Sequence, residues 1–335
     1  MQRTGNEPGE SQSRAAGGSR YLKKSAAHLH GEPGKLALFS FIEAHADEHR
    51  VVKMCELLQV SRAGYYRYLE RKKEGPSARE KKRQKLDQAI RQAYLESRET
   101  YGSPRIHAKL IQTGWVVSQK TVANRMKALG LASKRQWKRV GTTDSSSDAR
   151  VYPNALGRAF QPENVNEVWA TDITYIPTLE GPLYFNPVLD LCSKRILAYR
   201  VEDHMRTELP KEALQEAIAL RRPAEGWIHH SDRGSQYTSK EYVEVLKQAK
   251  AVISMSAKGD PYDNACLESF FSGFKQEFLY RWRPASKEEA RQLIADYVHF
   301  YNEERLHSTL GYDTPVSFEC KKKRELVPSV SLKTG

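Results

Sequence analysis

The stretch VWATDITYIPTLEGPLYFNPVLDLCSKRILAYRVE, residues 168–202, decides the fold class of this chain. It contains three runs rich in β-branched and aromatic residues, VWATDITYIPT, PLYFNPVLDL and KRILAYRVE, with turn sequences LEGP and CS between them. These features predict three consecutive β-strands. Asp172 lies in the middle of the first run. An acid inside a strand is unfavourable unless a partner, such as a bound cation, compensates for its lost hydration.

The residues after this stretch alternate between helical and strand patterns. The predicted order is a helix at 207–221, the strand GWIHHSD, a helix at 239–249, the strand AVISMSA and a helix at about 263–280. Such an order predicts an α/β domain with a mixed sheet, and periodicity alone goes no further. Asp232 ends the fourth strand, and Glu268 lies on the last helix.

Asp172, Asp232 and Glu268 each lie in a distinctive local sequence, VWATDITYIPT, HHSDRGSQYTS and DNACLESFFSGFK. Carboxylate oxygens are the ligands that Mg²⁺ and Mn²⁺ prefer. Two such ions, held about 3.5–4 Å apart, can activate an attacking oxygen and stabilise a leaving oxygen at a phosphodiester. Each acid alone is also typical of a surface residue or a helix cap. Together, in these contexts, they favour a catalytic metal site.

The composition indicates a polyanionic partner. Among 335 residues, 54 Lys and Arg stand against 41 Asp and Glu, which gives a formal net charge of +13. Such a charge attracts nucleic acid or a membrane surface. No stretch approaches the roughly 20 apolar residues that span a bilayer, the mean hydropathy is −0.69, and the N-terminus has no apolar signal segment. We therefore expect a cytoplasmic protein that binds DNA rather than a membrane. The four cysteines form no CxxC pair, so neither a zinc site nor a disulfide framework is expected.

The sequence divides into six predicted segments. They are a disordered leader at 1–35, helix-turn-helix-like helices at 36–75, a charged helix with a second helix-turn-helix unit at 76–140, a linker at 141–158, the catalytic domain at 159–320 and a basic tail at 321–335. Ser61 and Ser118 are the predicted N-caps of the second helix in each helical unit.

Candidate DNA contacts fall in three places. The second helix of a helix-turn-helix enters the major groove, which selects Gln119, Lys120, Asn124 and Arg125. The run SKRQWKRV adds Lys134, Arg135, Lys138 and Arg139 around an aromatic residue, a mixture suited to phosphate contact and stacking. Lys275 lies seven residues after Glu268, on the same helical face. The alternatives are helices that only pack together and lysines that are only solvated.

Several motifs follow one another between residues 100 and 318: TYGSPRIHAKL, TVANRMKALGL, VWATDITYIPT, LYFNPVLDLCSKRI, HSDRGSQYTS, SMSAKGDPYDNACLESFFSGFKQE and YNEERLHSTLGYDTP. This ordered set resembles the catalytic subunit of bacterial insertion-sequence transposases of the DDE type. More narrowly, it resembles the downstream-frame product of elements with two overlapping reading frames. The resemblance implies a ribonuclease H-like mixed-sheet catalytic domain preceded by all-α helix-turn-helix modules. It also implies that Asp172, Asp232 and Glu268 are the metal-binding catalytic triad.

The function implied by the resemblance is that of a DNA transposase with two ions of Mg²⁺ or Mn²⁺. It would cleave at the ends of an insertion element and transfer the freed 3′-hydroxyl into target DNA. Its expected partners are double-stranded DNA, further copies of this chain on that DNA, and the DNA-binding protein of the upstream frame. Two alternatives are a nuclease that lacks strand transfer and a sequence-specific DNA-binding protein that retains only the fold.

Overall fold

The computed structural model describes residues 34–133, 151–257, 261–279, 281–282 and 284–326. The chain forms two compact units that divide between Gln88 and Ala89. Most of the predicted leader, most of the predicted linker, and the run that contains Lys134, Arg135, Lys138 and Arg139 lie outside the described residues. In the part that is described, no helix is both long enough and apolar enough to cross a bilayer.

The first unit is a small helical cluster. Among its described residues, the helices are α1 (Lys35–Ala44), α2 (Val51–Leu57) and α3 (Arg62–Glu74), and α4 (Ala78–Glu96) begins within it. Its core contains Phe39, Ile42, Met54, Cys55 and Tyr65. The predicted cap is confirmed, because the Ser61 hydroxyl accepts a hydrogen bond from the Gly64 N–H at 3.2 Å. The sequence predicted two helices within residues 36–73, but this described stretch contains three because the chain turns at 45–50.

The second unit opens with a pair of helices, α5 (Ser103–Gln112) and α6 (Gln119–Ala128). Ile106 and Leu110 of α5 are buried, as are Val122 and Met126 of α6. The Ser118 hydroxyl caps α6 by accepting from the Thr121 N–H at 3.2 Å, as predicted. Gly114 in the intervening turn has φ +88°, a conformation that glycine adopts without steric penalty.

A six-stranded mixed sheet forms the centre of the second unit. Its strands are β1 (Val168–Thr171), β2 (Thr174–Thr178), β3 (Gly181–Asp190), β4 (Ile196–Glu202), β5 (Ile228–Ser231) and β6 (Val252–Met255). The order is β2-β3-β1-β5-β6, and β4 pairs with β3. Strand β3 is antiparallel to β1, β2 and β4, whereas β1, β5 and β6 are parallel.

Helices cover the sheet on two sides. They are α7 (Glu208–Arg221), the short α8 (Ser235–Thr238), α9 (Lys240–Gln248), α10 (Ala265–Phe274), α11 (Lys287–Glu303) and α12 (Pro315–Leu326). One apolar core joins the sheet to α10 and α11, and a second joins it to α7 and α9. A π-helical turn, Lys275–Leu279, continues α10. The predicted basic tail at 321–335 begins inside α12, and its residues after Leu326 lie outside the described residues.

A buried carboxylate attaches α12 to the sheet. Glu319 is 2 % exposed and pairs with Arg195 and Arg221, each at 2.7 Å. It also accepts from the Ser193 hydroxyl at 2.9 Å. Two guanidinium groups and a hydroxyl therefore surround one carboxylate, and they link α12 to the β3–β4 turn and to α7.

We predict that Glu319→Gln lowers the free energy of unfolding of this unit by about 3–5 kcal/mol, because both arginines would lose their buried counter-charge. Urea unfolding followed by fluorescence measures this. The matched control is Glu325→Gln, an exposed position on the same helix, which should change stability by less than about 0.5 kcal/mol. Equal midpoints for the two variants would contradict the structural role of Glu319.

Candidate active site

Asp172 interrupts the strand in which it was predicted to lie. Strand β1 ends at Thr171 and β2 begins at Thr174, so the mid-strand prediction is wrong. The Asp172 Oδ1 atom accepts a hydrogen bond from the Ile173 N–H at 2.7 Å. A hydrogen bond from a backbone N–H to a neighbouring side chain competes with the backbone hydrogen bonds between strands. It therefore places the carboxylate at the end of β1.

Parallel pairing brings a second carboxylate to the same edge of the sheet. Trp169 pairs with His229 and Ala170 with His230. Continuing this register by two residues puts Asp172 opposite Asp232. The Asp232 Oδ1 atom accepts from the Gly234 N–H at 2.9 Å. A Cβ atom on Gly234 would lie only 3.0 Å from that oxygen, so glycine permits the tight turn that follows Asp232.

The two aspartates have unfavourable environments for negative charge. Both are partly buried. Burial, followed by the nearby charge of Asp232, raises the pKa of Asp172 to about 7, against the opposing effects of the Ile173 N–H, Asn264 and Lys275. Burial also raises the pKa of Asp232. A cation between these carboxylates would remove both penalties.

Helix α10 carries the third predicted acid. Asn264 precedes this helix, and its Nδ2 atom donates to Asp172 Oδ2 at 3.1 Å, which ties the start of α10 to β1. Glu268 lies one turn further along, in the first turn of α10, and is exposed. Its carboxylate makes no hydrogen bond or ion pair with the described residues, so its orientation is set by its own rotamer.

The three predicted catalytic acids are not gathered within 4.8 Å of one another. Across the described ranges, the only group of three potential ligands whose donor atoms meet that distance is Glu202, Asp203 and His204. In that group Asp203 already pairs with Lys287 at 3.4 Å. The charge of Asp232 acts on Asp172, whereas the Glu268 side chain, on the adjacent helix, is exposed and has no partner among the described residues.

Sequence reasoning missed Asn186, which lies behind the two aspartates. It is fully buried, and its Nδ2 atom lies 2.9 Å from Thr171 Oγ1, from the Asp172 carbonyl oxygen and from the Tyr237 hydroxyl. It therefore connects the end of β1 to α8, which follows Asp232. The available signal was a single amide side chain in the apolar strand PLYFNPVLDL.

The donor set fits a hard divalent cation. Carboxylate and amide oxygens are the ligands such ions prefer. Besides the carboxylates, Asn264 Oδ1 is buried and has no hydrogen-bond partner among the described residues. A buried acceptor without a donor is costly, and a cation or its bound water would satisfy it. Asp172, Asp232, Glu268 and Asn264 are the residues here that could hold a metal ion.

The predicted DNA contacts differ in exposure. On α6, Gln119, Lys120 and Asn124 are exposed and Arg125 is partly buried. Lys275 is the first residue after α10 and is partly buried. Burial lowers the pKa of Lys275 while the charge of Asp172 opposes that change, so the ammonium group lies within electrostatic reach of Asp172.

Models of known protein families match two parts of this chain. An integrase core domain matches residues 162–261 and again residues 249–315. An HTH-like domain matches residues 81–139. These matches cover the sheet, the helix with Glu268 and the α5–α6 pair.

Two curated relatives extend over most of the chain. The insertion element IS600 uncharacterized 31 kDa protein of Shigella sonnei is 39% identical over 269 residues, which are 80% of this chain and 98% of that protein. The transposase InsF for insertion sequence IS3A of Escherichia coli (strain K12) is 36% identical over 284 residues, 84% of this chain and 98% of that protein. This chain belongs to the insertion-sequence transposase family. The predicted family, the ribonuclease H-like α/β fold and the polynucleotidyl transferase class are thereby confirmed.

Solved structures similar to this transposase include a simian T-cell lymphotropic virus intasome in complex with the PP2A regulatory subunit B56 gamma. That match has 15% identity and a TM-score of 0.41 and covers 68% of this chain and 73% of that one. Another is the HTLV-2 integrase catalytic core domain in complex with magnesium. It has 15% identity and a TM-score of 0.38, and it covers 47% of this chain and 98% of that one.

We predict that Asp172→Asn stabilises the metal-free transposase at pH 8 by about 1–3 kcal/mol, because it removes a disfavoured negative charge. The pKa of Asp172 is about 7 in the folded protein, above its value in the unfolded chain. The charge therefore destabilises the fold increasingly as the pH rises from 4 to 7, and the benefit of the substitution should shrink on acidification to pH 5. Thermal melts in EDTA at pH 5 and pH 8 measure it, and a destabilised variant at pH 8 would contradict it.

Proposed function

We propose that this transposase cuts DNA at the ends of its insertion element and joins the freed 3′-hydroxyl to target DNA, with Asp172, Asp232 and Glu268 as its catalytic acids. The observation that carries this proposal is the parallel β1–β5 register, which sets two aspartates side by side with raised pKa values. Asn264 supports it by tying the helix that carries Glu268 to Asp172.

We expect Asp172 and Asp232 to hold two ions of Mg²⁺ or Mn²⁺, with Glu268 completing the ligands of the second. When bound, such ions activate an attacking oxygen and stabilise the charge on a leaving oxygen. Glu268 would reach them by a change of rotamer, since its side chain is exposed and unconstrained. Asn264 would keep Asp172 oriented through its amide donor.

The proposed reaction has two displacements at phosphorus. In the first, a water oxygen bonds to phosphorus as the phosphorus–O3′ bond at the insertion-element end breaks, and the O3′ atom leaves as a hydroxyl. In the second, that O3′ atom bonds to a phosphorus of target DNA, and a target O3′ atom departs. No covalent bond to the protein is required. The chain's contribution is alignment and charge stabilisation. Lys275, on which the charge of Asp172 acts, would neutralise a phosphate there.

Recognition of the DNA is assigned to α6 and to the basic run after it. Gln119 and Asn124 carry side chains suited to base edges, whereas Lys120 and Arg125 suit phosphates. Lys134, Arg135, Lys138 and Arg139 are proposed phosphate contacts on sequence grounds alone. We also propose that several copies of the chain assemble on the DNA in the cytoplasm, with the upstream-frame protein as a further partner.

The main alternative is a DNA-binding protein or nuclease that does not join strands. The observation that favours it is that the ligand atoms of the three acids are not all within 4.8 Å of one another, because an incomplete set of ligands would leave binding intact and joining absent. The two functions differ in their products: only the transposase forms a covalent link between terminal DNA and target DNA.

We predict that the purified chain joins labelled terminal DNA of its insertion element to a plasmid in Mg²⁺ or Mn²⁺, and that Glu268→Ala and Asp232→Asn abolish joining while DNA binding is retained. Loss of a metal ligand removes the charge stabilisation on which displacement depends. The matched control is Glu303→Gln, an exposed acid at the end of α11, which should join normally. Joining that persists in Glu268→Ala would remove Glu268 from the mechanism.

We predict that Asn124→Ala and Lys120→Ala weaken DNA binding in different ways. Asn124→Ala should lose about 1–3 kcal/mol for terminal DNA but little for random DNA, because it reads a base. Lys120→Ala should weaken binding to both DNAs and make the negative slope of log K against log salt shallower by about 0.9, because the Lys120 side chain neutralises a phosphate. Fluorescence anisotropy at several salt concentrations separates the two, with exposed Lys247→Ala on α9 as the control. Identical effects on both DNAs from Asn124→Ala would refute base reading.

A further inference from the structure

A cavity of about 310 Å³ lies beside α10, and no step described above uses it. Its walls include Cys266, Ser269 and Gly273 of α10, Lys194 from the β3–β4 turn, and Thr309 after α11. Ser269 directly follows Glu268 in the chain. One wall of the cavity is therefore the helix that carries the third catalytic acid.

Lys194 is a partly buried cation without a close counter-charge. Its Nζ atom donates to the carbonyl oxygens of Leu191 at 2.6 Å and of Phe160 at 3.1 Å. Among the described residues, no carboxylate lies within 4.0 Å of it, and burial lowers its pKa. An ammonium group has three donors, so one remains for a ligand in the cavity.

The nearby acid Asp190 is committed elsewhere. Its Oδ1 atom accepts from the Ser193 N–H and hydroxyl, at 2.7 and 2.9 Å, and its Oδ2 atom accepts from the Asn166 N–H at 2.7 Å. Asp190 therefore acts on Lys194 only through space. Burial raises the pKa of the neighbouring Cys266 to about 11, so this thiol is uncharged at neutral pH and does not balance the lysine.

Two arginines add positive charge to the same cavity. Arg305 forms a bidentate pair with Glu277, at 2.6 and 2.8 Å, and Arg105 approaches the same carboxylate at 3.6 Å. Both arginines line the cavity. The residues that line the cavity thus include three cations, Lys194, Arg105 and Arg305, and no Asp or Glu, so its wall carries an excess of positive charge. In a partly buried cavity, where charge is screened less than in water, this excess favours an anion.

The mouth of the cavity carries neutral donors. Ser269, Ser308 and Thr309 line it and are exposed. Hydroxyl groups around a cationic centre are typical of contacts to phosphate oxygens. We propose that this cavity binds a backbone phosphate of the DNA strand engaged by the active site, with Lys194 as its central contact. This inference rests on the proposed function, because that function places a DNA strand along the helix of Glu268.

Thr309 allows a test that leaves the fold and the catalytic acids intact. Thr309→Glu adds a carboxylate at the exposed mouth of the cavity, and Thr309→Gln adds nearly the same volume without charge. We predict that Thr309→Glu weakens binding of duplex DNA about tenfold or more at low salt, because like charges repel. It should also make the negative slope of log K against log salt shallower by about 0.9. Thr309→Gln should match the unmodified chain. Equal affinities and slopes for the two variants would overturn the proposal.

Lys194→Met supplies a second, independent variant. It should make the slope of log K for DNA binding against log salt shallower by about 0.9. Lys250→Met, at an exposed lysine paired with Glu225, should leave this slope unchanged. Melting temperatures establish that both variants are folded. Stabilisation of the unmodified chain by inorganic phosphate, with the DNA slope unaltered in Lys194→Met, would indicate a site for a small free anion and would also overturn the proposal.

Binding in EDTA separates this inference from the proposed function. In EDTA, Glu268→Ala should bind DNA with the full salt slope. In Mg²⁺ or Mn²⁺, it should fail to join that DNA to a target. If the chain never joins DNA, the proposed function fails, whereas the phosphate contact fails if either Thr309→Glu or Lys194→Met leaves the slope unchanged.

Discussion

The parallel pairing of β1 with β5 is the interaction on which the rest of this structure depends. It sets Asp172 level with Asp232 at one edge of the sheet, and the buried residues beneath them keep the register. Trp169 packs on Trp227 with ring centroids 4.4 Å apart, so a slip of one residue would turn these side chains to the wrong face. The apolar core thus stabilises an arrangement of two carboxylates that electrostatics opposes. Such opposition is typical of functional sites, where a cation or substrate relieves it.

Buried polar side chains hold the segments that follow these strands. Asn186 joins the end of β1 to α8, and Asn264 joins the start of α10 to Asp172. His230 adds a third link, because its ring nitrogens lie 2.9 Å from Ser254 Oγ and from the Asp263 carbonyl oxygen. Glu268 stands outside this network, with an exposed side chain. The segments that carry the two aspartates are therefore held in place, whereas the exposed glutamate side chain is unconstrained, which suits its proposed role as a third metal ligand.

Charge is used in two different ways in the second unit. Glu319 and Glu277 are buried acids that each face two arginines, and they connect helices to the sheet and to one another. Lys194 and Lys275 are partly buried cations near the active-site helix, and burial lowers the pKa of each. The first group stabilises the fold. The second group is suited to phosphate, because a desolvated cation gains most from an incoming anion. The net positive charge of the chain thus does not by itself identify which residues meet DNA.

The sequence by itself determined the α/β order, the helix caps at Ser61 and Ser118, the family and the three candidate acids. These depend on local patterns, since capping, strand propensity and motif order are properties of neighbouring residues. Only the tertiary structure decided that Asp172 ends its strand, that Asn186 lies behind both aspartates, and that the Glu268 side chain is exposed without a partner among the described residues. It also decided that Lys194 lacks a close counter-charge beside α10. These features depend on which strands and helices become neighbours, as in the contacts of Asn186 with Tyr237, 51 residues away, and of Asp172 with Asn264, 92 residues away, and no local pattern carries that information.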